Sequence, residues 1–293
     1  MPRIATASTD KTCKLWRCPE LQLHRTLYGH VKALCDCVWA HDNTFVATAS
    51  EDRTVKIWQV SAGVCVHDLC GHSGPVLCCD FNTTGTLVAS ASCDETIRLW
   101  DTCSGCCISV LPAHTDPVTS IHFSSDSTVL LSAGCDGVCR LWDIHSNSCL
   151  KSTKFEAPIG YASFTQKMTH IVVATLNRDI HLLDAKLHRI FLTKAFDSEE
   201  TLNDSPYYTG HQCGLVLASS TTGAVSAWAM DRGRAGPIKL VAENELTPAS
   251  RTVAAYNMRR GFLVTCSFSL KQLVLWKTEL APSSIICSRE TGI

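Results

Sequence analysis

The sequence predicts an all-β fold, a seven-bladed β-propeller of four-stranded antiparallel blades, and three observations predict it. Tryptophans fall at Trp16, Trp58, Trp100 and Trp142, each 42 residues after the last, and the series continues through Leu183, Trp228 and Trp276. Short apolar runs such as TFVATAS and TVKIWQV alternate with clusters of turn residues, as strands joined by tight hairpins do. Cysteines keep the same period at Cys65, Cys107 and Cys149, with Cys37/Cys79 and Cys93/Cys135 as further in-phase pairs. One such unit is a small twisted sheet that cannot bury both faces alone, so neighbours must stack, and closing the ring removes long exposed edges.

The elements follow in order. The first phase opens at RIATAS, which corresponds to the second strand of a blade, so blade one is expected to have three strands or a true start upstream. Before each tryptophan the pattern returns as STDKTCKLW, SEDRTVKIW, SCDETIRLW and GCDGVCRLW, placing Asp10, Asp52, Asp94 and Asp136 six residues ahead of it. A Gly-His or Ala-His step recurs at His30, His72 and His114. Phases five to seven are looser: Asn177, Thr222 and Leu270 stand where the aspartate is expected, and the spacings become 41, 45 and 48. The tail Ser283 to Glu290 is expected to supply the outer strand of blade seven. Phe196 to Tyr208, acidic and turn-rich, reads as a loop between blades five and six, with the docking of a basic partner as the alternative, and Met230 to Pro237 reads as a solvated loop. The whole of 1–293 is expected to be one domain.

Composition narrows the function. With 45% hydrophobic and 18% charged residues the chain buries a large core. Lys plus Arg number 26 against Asp plus Glu 27, so the bulk positive charge that binds phosphate backbones is missing and no direct nucleic-acid contact is expected. No apolar run reaches 18 residues, and MPRIATASTD lacks the apolar stretch of a secretory signal, so neither membrane nor export is expected. Eighteen cysteines in such a chain read as reduced thiols in an intracellular protein. Cys103, Cys106 and Cys107 contain a C-x-x-C, but no second ligand pair accompanies it, so no metal and no cofactor is expected. Walker loops, His-Glu-x-x-His and G-x-S-x-G are absent, which leaves no case for an enzyme.

From about Ile4 to about Thr278 these motifs resemble the WD-repeat β-propeller family. The resemblance implies structural tetrads of histidine, strand hydroxyl, turn aspartate and tryptophan: His30/Thr48/Asp52/Trp58, His72/Ser90/Asp94/Trp100 and His114/Ser132/Asp136/Trp142. A set of Ser, His and Asp recurring every 42 residues is structural, because a nucleophile and base are needed once, in a cleft.

The stretch from about residue 48 to 185, including GHSGPVLCCDFNTTGTLVASASCDETIRLWD and VVATLNRDIHLLD, is similar to the WD-repeat core subunit of COMPASS/trithorax-type histone-methyltransferase complexes. That resemblance implies a non-catalytic scaffold, a monomeric ring in a larger complex, whose channel takes an arginine from a histone tail or a methyltransferase subunit; the nucleus is the favoured compartment, with the cytoplasm the alternative. By position the channel rim is Cys35, Glu51, Leu77, Cys93, Thr119, Cys135 and Tyr161. Glu51 replaces an aspartate and still accepts from a guanidinium, whereas Leu77, Cys93 and Cys135 replace aromatics and remove cation–π stacking. The second stacking aromatic is expected near Tyr207 or Tyr208. Independently of the family, the residues preceding the turn position, Thr9, Glu51, Cys93, Cys135, Leu176, Thr221 and Ser269, ring one opening. For Glu51 a solvated turn carboxylate is an equal reading. The competing function is a cytoplasmic or ribonucleoprotein assembly platform, such as a ubiquitin-ligase substrate receptor or a splicing-complex propeller.

Overall fold

In the computed structural model the described residues are 3–18, 20–165, 170–177, 179–184 and 186–194, followed by the strands that lie between 207 and 292. Among them are 27 strands and no helix. The first sheet has three strands in the order β1 (Arg3–Ala7), β2 (Thr12–Arg17), β3 (Gln22–Tyr28). Four-stranded meanders follow. The second sheet is β4 (Leu34–Trp39), β5 (Phe45–Ser50), β6 (Thr54–Gln59), β7 (Val64–Cys70), and the third is β8 (Val76–Phe81), β9 (Leu87–Ser92), β10 (Thr96–Asp101), β11 (Cys107–Pro112). The fourth is β12 (Val118–Phe123), β13 (Val129–Gly134), β14 (Val138–Asp143), β15 (Ser148–Lys154). The fifth is β16 (Ile159–Phe164), β17 (His170–Thr175), β18 (Asp179–Asp184), β19 (Arg189–Lys194).

The remaining strands are β20 (Tyr207–Gln212), β21 (Leu215–Ser219), β22 (Val225–Asp231), β23 (Arg234–Ala242), β24 (Thr252–Asn257), β25 (Phe262–Ser267), β26 (Gln272–Ala281) and β27 (Ser284–Gly292). They form one eight-stranded sheet ordered β20-β21-β22-β23-β27-β26-β25-β24. The tail strand β27 pairs antiparallel with β26 and also parallel with β23, from Lys239↔Ser284 to Ala242↔Cys287, so two antiparallel meanders share one sheet here. The expected loop Met230 to Pro237 is corrected by this sheet: its two flanks are strand, with Asp231 paired to Arg234 and Trp228 to Pro237 in register. Most of the expected loop Phe196 to Tyr208 lies outside the described residues; Tyr207 and Tyr208 open β20.

The chain divides into two compact units, Met1–Cys18 with Gln22–Ala162, and Pro19–Leu21 with Ser163–Ile293. In the first, each sheet lays one face on the next. Ala47, Ala49, Val55, Ile57 and Leu69 of the second sheet pack against Val76, Cys79, Phe81, Val88 and Trp100 of the third. Ala89, Ala91, Ile97 and Leu99 of the third pack likewise against Val118, Ile121, Leu130 and Trp142 of the fourth. Cys13, Leu15 and Leu27 of the first sheet meet Leu34, Val46 and Trp58 of the second. Trp58, Trp100 and Trp142 therefore each fill the gap between their own sheet and the preceding one. The second strands β5, β9 and β13 are buried from their second residue to their last, because both of their faces are covered.

One irregularity is shared. Pairing of the tryptophan-bearing strand with the strand that follows it shifts register at Leu15/Trp16, Ile57/Trp58, Leu99/Trp100 and Leu141/Trp142, and again at Leu182/Leu183 and Leu275/Trp276. The bulge is thus a property of the blade pattern rather than of the indole.

Candidate functional site: tetrad-braced turns and the rim they present

The turn that leads into the tryptophan-bearing strand is built the same way in the first four sheets. Arg53 N–H donates to Ser50 O, Glu95 N–H to Ser92 O and Gly137 N–H to Gly134 O, at 3.2, 3.3 and 3.1 Å. The closing residue has positive φ: 71° at Lys11, 74° at Arg53, 70° at Glu95 and 71° at Gly137. The aspartate accepts from its own turn, Thr54 N–H onto Asp52 at 3.1 Å and Thr96 N–H onto Asp94 at 3.0 Å.

Those aspartates also brace the sheet. Asp52 Oδ2 lies 2.7 Å from His30 Nδ1, His30 Nε2 lies 2.8 Å from Thr48 Oγ1, and Trp58 Nε1–H donates to Thr48 Oγ1 at 2.9 Å. In the third sheet His72, Asp94, Ser90 and Trp100 repeat this, each contact 2.8 Å. In the fourth, His114 lies 2.9 Å from Asp136 and 2.8 Å from Ser132, which accepts from Trp142 at 2.9 Å. Thr48, Ser90 and Ser132 are 0% exposed, so every polar atom in the chain of bonds has a partner where water has none to offer.

Protonation follows from this geometry. Burial holds the His30, His72 and His114 pKa values below the ordinary histidine range, more strongly than their aspartates raise them. Burial works against the Asp52 carboxylate, yet hydrogen bonds from Thr54, His30 and the Val31 backbone outweigh it and hold it at about 2. Asp94 and Asp136 are lowered in the same way. In the fourth sheet Arg140 Nη1 comes within 2.7 Å of His114 Nδ1 and 3.0 Å of Asp136 Oδ2, so guanidinium and imidazole compete for one carboxylate. Neutral histidines beside ionised aspartates brace a fold; the hydroxyls are consumed by tryptophan and histidine and are not free as nucleophiles.

The first and fifth sheets depart. Trp16 Nε1–H donates to Thr6 Oγ1 at 3.0 Å, and Asp10 accepts from Thr12. In the fifth sheet Val173 and Leu183 occupy the hydroxyl and tryptophan positions, both 0% exposed: the bonded polar pair is replaced by an apolar one.

The tetrads fix where the rim residues lie. Glu51, Cys93 and Cys135 N–H groups donate to Ala33, Pro75 and Pro117 carbonyls at 3.0, 2.9 and 2.9 Å, tying each turn to the entry of its own first strand. Glu51 is exposed, and Cys93 and Cys135 are half-buried. Burial and then the Glu51 charge push the Cys35 thiol up to about 11. Burial raises Cys93 and Cys135 too, with Asp94 acting on the first and Asp116 on the second. Glu51 acts on Cys35, Cys93 acts on Cys35 and Cys135, and in each case burial and nearby carboxylates disfavour the thiolate. Leu77 is half-buried on β8. Thr119 donates to Ile159 O at 2.7 Å, so its hydroxyl is engaged within the protein. The Tyr161 ring meets His122 edge-on at 5.4 Å. Thr9 and Leu176 are exposed; Thr221 and Ser269 lie outside the described residues, as do the side chains of Tyr207 and Tyr208. Cys103, Cys106 and Cys107 are exposed, and among the described residues no three His, Cys, Asp or Glu side chains are arranged to hold a metal ion.

Sequence reasoning missed the inner strands. Asp36 on β4 accepts from Cys37 N–H at 2.8 Å and, across to the next sheet, from Cys79 N–H at 3.1 Å. Asp80 on β8 accepts from Phe123 N–H at 2.8 Å, and His122 Nδ1 lies 3.5 Å from it. A charged residue within an apolar first strand was the available signal.

The family model for the WD domain, G-beta repeat, matches residues 21–59, 63–101 and 105–143. Each match starts at the last strand of one sheet and ends with the third of the next, so every repeat covalently stitches two neighbouring sheets. No curated protein matches the chain. Through these three segments the chain carries WD40 repeats, a β-propeller structure that generally serves as a scaffold binding other proteins or peptides and not as a catalyst.

Proposed function

We propose that the chain is the non-catalytic WD-repeat subunit of a COMPASS-like histone-methyltransferase complex, a single seven-bladed ring in the nucleus that receives an arginine-containing peptide at its rim. The observation that supports this reading is the braced turn on which Glu51 stands exposed, near enough to Cys35 for its charge to act on that thiol. An exposed carboxylate on a rigid turn accepts a guanidinium with little ordering cost. Titration with an arginine-bearing histone-tail peptide tests it: binding is expected to weaken about tenfold in Glu51→Ala, the loss of one charge-assisted hydrogen bond. Absent binding, or equal binding by the variant, removes it. Leu77, Cys93 and Cys135 at positions where the related rims carry aromatics favour the second reading, an assembly platform of the ubiquitin-ligase or splicing type. Affinity purification separates the two: co-purifying SET-domain subunits support the first, cullin adaptors or spliceosomal proteins the second.

A further inference from the structure

We propose that the open edge of β1 in the first sheet is a docking site for an extended segment of a partner protein, which adds to it as an antiparallel strand. β1 repeats the sequence of β5: Ile4-Ala5-Thr6-Ala7-Ser8 stands 42 positions before Val46-Ala47-Thr48-Ala49-Ser50. In the second sheet these five residues are 0% exposed, with β4 paired on one side of β5 and β6 on the other. In the first sheet the equivalent five are only half-buried: β2 takes one side and, among the described residues, no strand takes the other.

The closed sheets show what the open side presents. Ala40 N–H donates to Phe45 O and Glu51 N–H to Ala33 O, both at 3.0 Å, so the odd-numbered residues from 45 to 51 aim their N–H and C=O groups at the inner strand. Bonds from Asn82 to Leu87 and Cys93 to Pro75 repeat this in the third sheet, and bonds from Ser124 to Val129 and Cys135 to Pro117 in the fourth. Shifted by 42, the groups on the open side are those of Ala5, Ala7 and Thr9. A row of backbone donors and acceptors at a sheet edge is a template for strand addition.

The molecule also shows what such an edge accepts. β4, β8 and β12 fill the equivalent places as six-residue strands. Each follows a residue whose carbonyl accepts from the turn, Ala33, Pro75 or Pro117, then begins with an aliphatic, Leu34, Val76 or Val118, and ends with an aromatic, Trp39, Phe81 or Phe123. Ser8 and Thr9 hold the places of Ser50 and Glu51, whose hydroxyl and N–H both donate to Ala33 O, so the leading carbonyl of the segment finds two donors. The occupant is therefore an extended segment in which an aliphatic residue is followed five positions later by an aromatic one. A second copy of β1 does not fit this pattern, because Thr9 stands five positions after Ile4.

A capped synthetic peptide copying residues 117–124 (PVTSIHFS), a cysteine-free strand of this kind, tests the proposal on the full-length protein by residue-resolved hydrogen exchange. At a peptide concentration twice the measured dissociation constant, exchange of the Ala5 and Ala7 amides is expected to slow about threefold, as the bound fraction requires, while Ala47 and Ala49 stay unchanged. Ser120 and His122 oppose Ala133 and Leu131, so theirs are the N–H groups that face the neighbouring strand. The same peptide N-methylated at those two residues is expected to bind at least about tenfold more weakly. Ala5→Pro is expected to weaken binding from the protein's side while leaving the sheet its own bonds, since the Ala5 N–H points to the open edge; should that variant misfold, the N-methylated peptide supplies the same comparison. No binding up to about 5 mM peptide, or equal binding by the N-methylated form, overturns the proposal. So do Ala5 and Ala7 amides already as protected as Ala47 and Ala49 in the free protein, and a concentration-dependent dimer that protects them without peptide, which assigns the edge to a second copy.

Discussion

Replacing Ser90 with alanine removes one oxygen and strands two partners. Ser90 Oγ is 0% exposed, accepts from Trp100 Nε1–H at 2.8 Å and lies 2.8 Å from His72 Nε2. Trp100 is 1% exposed and packed between two sheets, and His72 is buried, so neither orphaned nitrogen reaches bulk water. Leaving a buried polar group unpaired costs about 1–3 kcal/mol, and the void left by one oxygen adds less than about 1 kcal/mol. The expected loss is roughly 2–4 kcal/mol, with the lower end applying if His72 shifts toward solvent. Urea unfolding monitored by Trp fluorescence, with hydrogen exchange of peptides covering 76–101, measures it. Trp100→Phe removes the donor, so in a double-mutant cycle the two changes should cost less together than separately by about 1 kcal/mol or more. A Ser90→Ala loss under about 0.5 kcal/mol, or strict additivity in the cycle, would refute the claim that the tetrad's bonds, rather than packing alone, hold the blade.

Asp52→Asn is expected to flatten the acid limb of the stability curve. The Asp52 contribution is present above its unfolded value and is lost as pH falls from there through about 2, and the variant has no such group to protonate, as acid titration followed by circular dichroism checks. Arg140→Leu takes a positive charge from beside His114, so the His114 pKa should rise in an imidazole NMR titration. Gly137 has φ 71°, and an added Cβ would lie 3.0 Å from Phe155 O and 3.1 Å from Ala157 O. Gly137→Ala should therefore cost at least about 1–2 kcal/mol, while Gly85→Ala, with φ 71° and open space around it, should cost only the backbone strain of about 1 kcal/mol. The reverse change at the same turn position, Glu95→Gly, should stabilise by up to about 1 kcal/mol in thermal unfolding, because Glu95 holds φ 70° with a side chain.

The repeat of 42 residues determined the succession of strands and the positions of the turns in the first four phases, and the WD-repeat resemblance carried by the same motifs implied the four members of each tetrad. All of these lie within one sheet or on the connection that enters it, where pleat and turn geometry translate sequence spacing directly into distance. The apolar pair Val173 and Leu183 in the fifth sheet was half visible: the missing tryptophan could be read, but not that its partner changed with it.

What joins one sheet to another was not legible. Asp36 reaches Cys79 and Asp80 reaches Phe123, each 43 positions away, so these contacts fall out of step with the period. Arg25 of β3 donates to Ala62 O in the second sheet, and Thr83 N–H donates to Ser127 of the fourth. Such pairs depend on the stagger and twist between stacked sheets, quantities set by the volumes of the side chains packed between them and carried by no local motif. For the same reason the parallel pairing of β27 with β23 emerged only in three dimensions: a strand's pattern marks it as a strand, but a free edge is chosen by where the chain finds one.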